Sequence, residues 1–268
     1  MLPKIAEARS IAAAFVSARR NAAALADYPG VEPADLGGAL AIQDAAIALF
    51  GEPVAGWKVG RINSPWLERL GTNRLPGPIF AKRIKTAAAD EVATGEIFRN
   101  GFGAAEAEFV FRLGSAPKPG TTRLSLAETA DLVDAVFIGI EVASSPFAGI
   151  NRQGPLVTIS DFGNNNGLIL GQEIPDWRGA GLDDWVVTAS IDGAEVGTGR
   201  ASAFPDGPLG SVKYLVENLL SRGIAIAPGL LVSTGAVTGV HEISAGQKFE
   251  ARFGDFAGIG CQIAFATA

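Results

Sequence analysis

The sequence predicts an α+β fold, a mixed β-sheet roll or barrel with an N-terminal helical region. Apolar residues recur at helical spacing in the first 50 residues, whereas short β-like runs and scattered glycines dominate after residue 52. The 268 residues, of which 48% are hydrophobic, suffice to bury one large core. We therefore predict a helical region over 1–52 and a β-rich core over 53–268.

Four helices are predicted from apolar residues that repeat every three or four positions. The first two cover 5–20 and 35–50. A third begins at Ser125, where Ser-Leu-Ala-Glu has the spacing of a capping box, and extends to about residue 136. The fourth covers 209–222 and is terminated by Gly223.

Strands are predicted where apolar residues alternate with polar ones or form short continuous runs. Asp192-Gly193 separates two of these runs and is typical of a two-residue hairpin turn. The predicted strands cover 105–113, 136–142, 167–171, 184–191, 194–200, 229–234, 247–253 and 258–265. Many short strands with a long connection around 144–166 describe the roll or barrel.

The composition argues against several classes of protein. A formal net charge of −6 argues against a nucleic-acid binder, which normally presents a basic surface. No apolar stretch approaches the roughly 20 residues that span a bilayer. The N-terminal segment lacks the layout of a secretory signal. Because a single cysteine allows no internal disulfide, we expect a cytoplasmic protein.

Cys261 and His241 are the only residues of their types. Cys261 lies in an apolar run and is predicted to be a small core residue. His241 follows the glycine-rich segment 235–240 and is interpreted as a plain loop residue. A single histidine also argues against Ser-His-Asp, Cys-His and multi-histidine zinc chemistry within one chain.

Glu106, Glu108 and Glu141 are predicted to bind a divalent cation. Acidic and apolar residues alternate over 105–111, so the carboxylates of Glu106 and Glu108 share one face of a strand. Glu141 ends a second apolar run, where an unpaired acid needs a cation or a hydrogen-bond partner. Three oxygen donors suit Mg²⁺ or Mn²⁺ better than Zn²⁺. In the alternative interpretation, Glu106 and Glu108 form the solvated face of an amphipathic strand.

Four motifs occur in an order typical of one enzyme family. They are GWKVG at 56–60, AEAE at 105–108, GIEV at 139–142 and PGLLVSTG at 228–235. Together they resemble the 2-keto-4-pentenoate hydratases, within the fumarylacetoacetate hydrolase-like superfamily that also contains 2-oxo-3-hexenedioate decarboxylases. The resemblance covers nearly the whole chain and implies the same α+β plan.

The resemblance implies a metal-dependent active site that includes Lys58. A 2-keto acid would chelate Mg²⁺ or Mn²⁺ through its carboxylate and keto oxygens, and the metal would act as a Lewis acid. Lys58, between two glycines in an apolar turn, matches the active-site lysine of the hydratases. Burial near a cation would lower its pKa and allow proton transfer at neutral pH. The alternative is a surface lysine whose stem covers the core.

Further site residues follow from the same resemblance. Asp161 matches an Asp-Asn-Ala-Ser-like stretch and is a second catalytic candidate, although Asn164 departs from that pattern. The three asparagines at 164–166 are turn formers or donors to a substrate carboxylate, and both interpretations stay open. Thr234 and Gly235 match a pair that borders the pocket in relatives, or form a tight exit from a strand.

The chain departs from the hydratases in one respect. They carry an active-site aspartate downstream of the lysine, whereas segment 77–85 of this chain lacks an acid and ends in basic residues. These bases belong to a solvated strand end, or they attract a second carboxylate of the substrate. Candidates for that contact are Arg61, Arg152 and the pair Lys82-Arg83.

The leading hypothesis is a hydratase that adds water to an unsaturated 2-keto acid in the catabolism of aromatic compounds. A 2-oxo-enedioate decarboxylase is the first alternative, because the same metal site serves both reactions. Hydrolysis of an acylpyruvate ranks third, since that chemistry enlists a His-Glu pair. A non-catalytic partner subunit is the non-enzymatic alternative. We expect a small-molecule substrate and a homo-oligomer, with association with a pathway decarboxylase as a further option.

Overall fold

The computed structural model describes residues 2–87 and 92–268. In these ranges the α-helices are α1 Leu2–Arg20, α2 Leu36–Phe50, α3 Trp66–Leu70, α4 Leu126–Leu132, α5 Pro155–Ser160 and α6 Gly207–Ser221. The strands are β1 Val54–Arg61, β2 Arg74–Phe80, β3 Ile84–Thr86, β4 Val92–Ile97, β5 Phe102–Leu113, β6 Val133–Ser145, β7 Asn165–Glu173, β8 Val187–Ile191, β9 Ala194–Gly199, β10 Leu231–Ser233, β11 His241–Glu242, β12 Lys248–Phe253 and β13 Ala257–Phe265.

Two sheets form the framework of the protein. The larger sheet has the order β2-β1-β10-β5-β6-β7-β3, and β11 pairs with β5 outside this path. The smaller sheet has the order β4-β13-β12-β8-β9. Both sheets mix parallel and antiparallel pairs, as in β1 with β10 and β5 with β6. The predicted α+β class with a mixed sheet and an N-terminal helical region is confirmed.

The ends of helix α2 are set by capping residues, and both N-terminal helices pack against the rest of the protein. Asp35 caps α2 by accepting a hydrogen bond from the backbone N–H of Gly38, and Gly51 ends it with φ 67°. Phe15 of α1 and Phe50 of α2 pack in one apolar cluster with Phe162, so the helices lie against the β-rich part. The division at residue 52 stays a prediction.

The strand pair β5 and β6 is the longest in the protein and lies inside the larger sheet. Its register places Glu106 directly opposite Glu141 and Glu108 opposite Gly139. Nearly all residues of the two strands are buried, and the side chains on one face belong to the main hydrophobic cluster. An antiparallel register fixes the separation of facing side chains, so this pairing decides where the three acids lie.

Most predicted elements are present, with three corrections. The helix expected over 125–136 ends at Leu132, because Val133 already pairs with Leu113 of β5. The GWKVG motif is the centre of strand β1 and not a turn. His241 lies in the short strand β11 and not in a loop. The Asp192-Gly193 hairpin is confirmed, with both residues at positive φ.

Cys261 is fully buried in β13, as predicted, and its burial raises the pKa of the thiol to about 12. None of the described helices combines the length and apolar composition that a membrane crossing requires.

Candidate metal centre and active-site cavity

Three glutamates converge at the centre of the larger sheet. Their ligand atoms all lie within 4.8 Å of one another. Glu106 is 4% exposed, and Glu108 and Glu141 are fully buried. Glu106 and Glu108 share a face of β5, and the cross-strand register brings Glu141 beside them. The three side chains lie together as the strand pattern predicts, and their burial argues against the solvated-strand alternative. Their role as metal ligands stays a prediction.

Hydrogen bonds fix one oxygen on each of two carboxylates. The Ser233 hydroxyl and the backbone N–H of Gly235, the latter at 3.0 Å, donate to Oε2 of Glu108. The amide of Asn165 donates to Oε1 of Glu141 at 3.0 Å. Among the described residues, Oε1 of Glu108 accepts no hydrogen bond, and Oε2 of Glu141 lies 3.2 Å from the Nζ of Lys58. Three buried carboxylates, one of which has an unsatisfied oxygen, fit a divalent cation.

The positive charge of Lys58 only partly balances the negative charge of the three glutamates. Burial, and then repulsion by Glu141, raise the pKa of Glu106 to about 7, although the ammonium of Lys58 opposes this rise. Burial also raises the pKa of Glu108 well above its ordinary value, reinforced by Glu141 and Glu106. A divalent cation would supply the missing positive charge.

Lys58 lies on β1 beside the glutamate cluster and is 4% exposed. Its Nζ is 3.2 Å from Oε2 of Glu141 and 3.3 Å from Oδ1 of Asn164. Burial acts to lower the pKa of Lys58, but the three glutamates outweigh it and raise that pKa above its ordinary value. The pKa of Lys58 is therefore raised in the cluster without metal, and the lowered pKa expected beside a bound cation stays a prediction.

The position of β2 directly opposite Lys58 has no room for a side chain. Gly77 of β2 lies directly opposite Lys58. A Cβ atom at Gly77 would lie 2.2 Å from the carbonyl oxygen of Phe162, so no side chain fits there. The place beside Lys58 is filled by the backbone of the turn that carries Asn164.

That turn has an unusual backbone. Phe162, Gly163 and Asn164 have φ values of 56°, 61° and 58°, all in the left-handed region. A left-handed residue other than glycine costs roughly 1–2 kcal/mol, so surrounding contacts must stabilise the turn. The turn directs the Asn164 side chain between Lys58 and Asn151, to which its amide donates at 3.0 Å.

The structure does not bring Asp161 to the other predicted site residues. Asp161 is fully buried, and both its oxygens are engaged. The guanidinium of Arg19 donates to each oxygen, at 2.9 Å for Oδ2, and the hydroxyl of Ser145 donates to Oδ2 at 2.6 Å. Asp161 anchors the turn before Asn164 in this arrangement.

A cavity of about 710 Å³ opens beside the glutamate cluster. Lys58 and Glu106 form part of its wall, so the metal centre is reached from the cavity. The other predicted residues that line it are Arg61, Arg152, Asn164, Thr234 and Gly235. The hydroxyl of Thr234 donates to the carbonyl of Phe109 and is thus held by β5.

Solved structures with similar folds include several enzymes. No known family model matches the chain. No curated protein matches it in sequence. A 4-oxalocrotonate decarboxylase from Pseudomonas putida G7, complexed with magnesium and adipate, aligns with a TM-score of 0.77 and 19% identity over 96% of this chain and 97% of that chain. A fumarylpyruvate hydrolase from Pseudomonas aeruginosa, in complex with Mn²⁺ and pyruvate, aligns with a TM-score of 0.56 and 16% identity over 80% and 91% of the two chains.

The chain has a fumarylacetoacetate hydrolase-like fold. The resemblance inferred from the sequence motifs is thereby confirmed at the level of the fold. Because one fold supports several reactions, the activity must be argued from the site itself.

The basic pair Lys82-Arg83 lies away from the main cavity. It borders a separate cavity of about 160 Å³. Lys82 lies 3.7 Å from Glu52, and Arg83 lies 3.1 Å from Glu96. These pairings favour the interpretation as a solvated surface. His241 also lies outside the main cavity lining, and its Nε2 is 3.1 Å from the Thr238 hydroxyl.

Several residues that shape the site carry no clear signal in the sequence. Ser233 and Asn165 donate hydrogen bonds to the carboxylates of Glu108 and Glu141, respectively. The predicted site residues in these two segments are their neighbours, Thr234 and Asn164. Arg74 lines the cavity and donates to the carbonyl of Pro205 at 2.6 Å. Arg19 belongs to an N-terminal helix and contacts residues far along the chain.

Metal-free Glu106→Gln is expected to be more stable than the metal-free wild type at pH 8, with little difference at pH 4. The pKa of Glu106 is raised from 4.5 to about 7, so folding takes up a proton between these values. The contribution of this proton uptake to the free energy of unfolding of the wild type is therefore complete below about pH 4.5. It is lost as the pH rises through about 7. At pH 8 the free energy of unfolding of Glu106→Gln should exceed that of the wild type by an amount on the order of 3 kcal/mol, since one pKa unit corresponds to about 1.4 kcal/mol. Denaturant unfolding with a chelator measures it, and a difference independent of pH would contradict the assignment.

Proposed function

We propose that the chain is a divalent-metal-dependent lyase that adds water to an unsaturated 2-keto acid. One observation carries the proposal. Three buried carboxylates, among them Glu108 with an oxygen that accepts no hydrogen bond from the described residues, lie beside a buried lysine at the wall of a cavity of about 710 Å³. A cavity of this size accommodates a small organic acid.

Glu106, Glu108 and Glu141 would hold Mg²⁺ or Mn²⁺, since the donor set consists of oxygen atoms alone. When bound, the cation would withdraw electron density from the carboxylate and keto oxygens of the substrate and stabilise negative charge on the keto oxygen. Solved structures with the same fold were obtained with magnesium, calcium or manganese, which supports this choice of ion.

Lys58 would move protons at the reacting carbon chain. Its Nζ carries a proton in the metal-free site and lies at the cavity wall. In a hydration it would donate that proton to the substrate and recover one from the attacking water. Asn164 would orient the ammonium, because its Oδ1 lies 3.3 Å from Nζ. Closely packed backbone leaves no room for an acidic side chain at position 77, directly opposite Lys58.

Decarboxylation of a dicarboxylic 2-keto acid is the second candidate. It would use the same charge stabilisation, with CO₂ leaving and a proton from Lys58 taking its place. The specific observation in its favour is the set of guanidinium groups that line the cavity, from Arg61, Arg74 and Arg152. The 4-oxalocrotonate decarboxylase with the same fold was solved with adipate, a dicarboxylate.

A panel of 2-keto acids with Mg²⁺ or Mn²⁺ tests both candidates. Loss of dienol absorbance without release of CO₂ is the expected result for a hydratase, and stoichiometric CO₂ indicates the decarboxylase. Turnover must disappear with a chelator and return with added metal. A purified protein that binds no divalent cation would contradict the proposal and favour a non-catalytic partner subunit. Mass photometry of the same sample checks the expected homo-oligomer.

Arg61→Met is expected to reduce kcat/KM for a dicarboxylic substrate about 10- to 100-fold more than for its monocarboxylic analogue, if the second carboxylate binds at the arginines. Hydrogen bonds to charged groups contribute about 1.5–3 kcal/mol, which corresponds to this range. Arg83→Met is the matched control, because Arg83 borders the other cavity. Equal effects of Arg61→Met on both substrates would remove Arg61 from the binding site.

A further inference from the structure

The guanidinium of Arg19 lies at the centre of a buried network behind the proposed metal centre. Arg19 belongs to α1 and is 4% exposed. Its NH2 group donates to Oδ2 of Asp161 at 2.9 Å, and Nε donates to the other oxygen. The same NH2 group donates to the carbonyl of Ser144 at 3.1 Å. A buried guanidinium with these partners fixes several backbone segments at once.

One branch of this network reaches a metal-site glutamate. NH1 of Arg19 donates to the backbone carbonyl of Asn165 at 3.0 Å. The side chain of the same Asn165 donates to Oε1 of Glu141 at 3.0 Å. The position of Asn165, and through it the direction of one Glu141 oxygen, therefore depends on a residue of the first helix. The other oxygen of Glu141, Oε2, lies 3.2 Å from the Nζ of Lys58.

A second branch reaches the proposed proton-transfer residue. Arg19 lies over the ring of Phe162 at 5.0 Å from its centroid, and NH2 donates to the carbonyl of Asp161 at 3.3 Å. These contacts brace the left-handed turn that directs Asn164 towards Lys58. The turn has an unfavourable backbone conformation, so it needs such support.

We infer that Arg19 is a positioning residue that sets Glu141 for metal binding through Asn165 and sets Asn164 against Lys58. The inference rests on the proposed function. It assigns to the N-terminal helix a part in the active site, in addition to its packing. Lysine cannot replace Arg19, because one ammonium cannot donate to Asp161, Ser144 and Asn165 from the same planar group.

Arg19→Met is expected to weaken Mn²⁺ binding about 10-fold or more, since removal of outer-shell partners typically costs 10- to 100-fold in metal affinity. Calorimetric titration with Mn²⁺, below the unfolding temperature of every variant, measures it. Arg20→Met is the matched control. Arg20 is the next residue of α1, and its hydrogen bonds to described residues go to the carbonyls of Leu49 and Phe50 at the end of α2. We expect this control to bind Mn²⁺ like the wild type.

A double-mutant cycle separates positioning from general destabilisation. If Arg19 acts through Asn165, Arg19→Met should add little further loss of Mn²⁺ affinity in an Asn165→Ala background. Millimolar guanidinium should partly restore Mn²⁺ binding to Arg19→Ala, whereas sodium at equal ionic strength should not. Arg19→Lys replaces Arg19→Met in the cycle if the latter does not fold, and it should also bind Mn²⁺ more weakly.

Wild-type Mn²⁺ affinity in folded Arg19→Met or Arg19→Lys would overturn the inference and leave Arg19 a packing residue. Additive losses in the cycle would overturn its action through Asn165. Neither result affects the proposed function, which fails separately if the wild-type protein itself binds no Mn²⁺.

Discussion

Lys58→Met is expected to lower kcat by roughly 10²–10⁴-fold with little change in KM. A general acid–base group contributes about this much, and the Nζ atom of Lys58 lies at the cavity wall beside the glutamate cluster. Methionine preserves much of the length and apolar packing of the buried stem. Steady-state kinetics with the substrate found in the 2-keto acid panel measures the change.

Metal binding provides a second readout for this variant. Lys58 is the cation that lies 3.2 Å from Glu141, and its removal leaves the three carboxylates less compensated. Lys58→Met should therefore bind Mn²⁺ at least as tightly as the wild type while losing turnover. Such a combination separates a role in chemistry from damage to the metal site.

Lys82→Met is the control for the loss of a lysine as such. The Lys82 side chain is 77% exposed and borders the other cavity, so turnover should stay at the wild-type level. If Lys58→Met raises KM and leaves kcat unchanged, Lys58 holds the substrate carboxylate and another group moves the proton.

The cluster of three glutamates could be predicted from the sequence because its geometry follows from local rules. Side chains two residues apart on a strand share a face, so Glu106 and Glu108 had to project together. Glu141 ends an apolar run that predicts a neighbouring buried strand, where an acid needs a cation or a hydrogen-bond partner. The cross-strand register Glu106 to Glu141 then completes the site. The Asp192-Gly193 hairpin follows from the same kind of local preference, since both residues tolerate positive φ.

Interactions between distant segments could not be predicted in this way. Arg19 and Asp161 are 142 positions apart, and no periodicity connects a helix residue to a turn so far along the chain. The raised pKa of Lys58 in the cluster without metal was equally out of reach, because it depends on all three glutamates at once. The helix predicted from Ser125 to about residue 136 ends at Leu132 in the structure, because pairing of Val133 with β5 overrides the helical pattern.

Glu108→Gln is expected to weaken Mn²⁺ binding by more than about 100-fold, beyond the range typical of outer-shell changes, and to abolish turnover at limiting metal. Glutamine keeps the shape of the side chain but removes one formal negative charge from the donor set. The amide can still accept hydrogen bonds from Ser233 and from the backbone of Gly235. The local packing should therefore survive.

The fold of Glu108→Gln should in fact tolerate the change well when metal is absent. Burial already raises the pKa of Glu108 far enough to disfavour its charged form, and a neutral amide avoids that penalty. Circular dichroism and thermal unfolding of the metal-free variant check this expectation. An unfolded variant would instead indicate that the cation has a structural role.

Glu195→Gln is the matched control, since Glu195 lies exposed on β9 of the smaller sheet. The same chemical change there should alter neither Mn²⁺ affinity nor turnover. If Glu108→Gln also keeps wild-type turnover at limiting metal, Glu108 is not a ligand of the catalytic ion. The reaction would then have to depend on Glu106 and Glu141 alone, and the assignment of a three-carboxylate centre would be wrong.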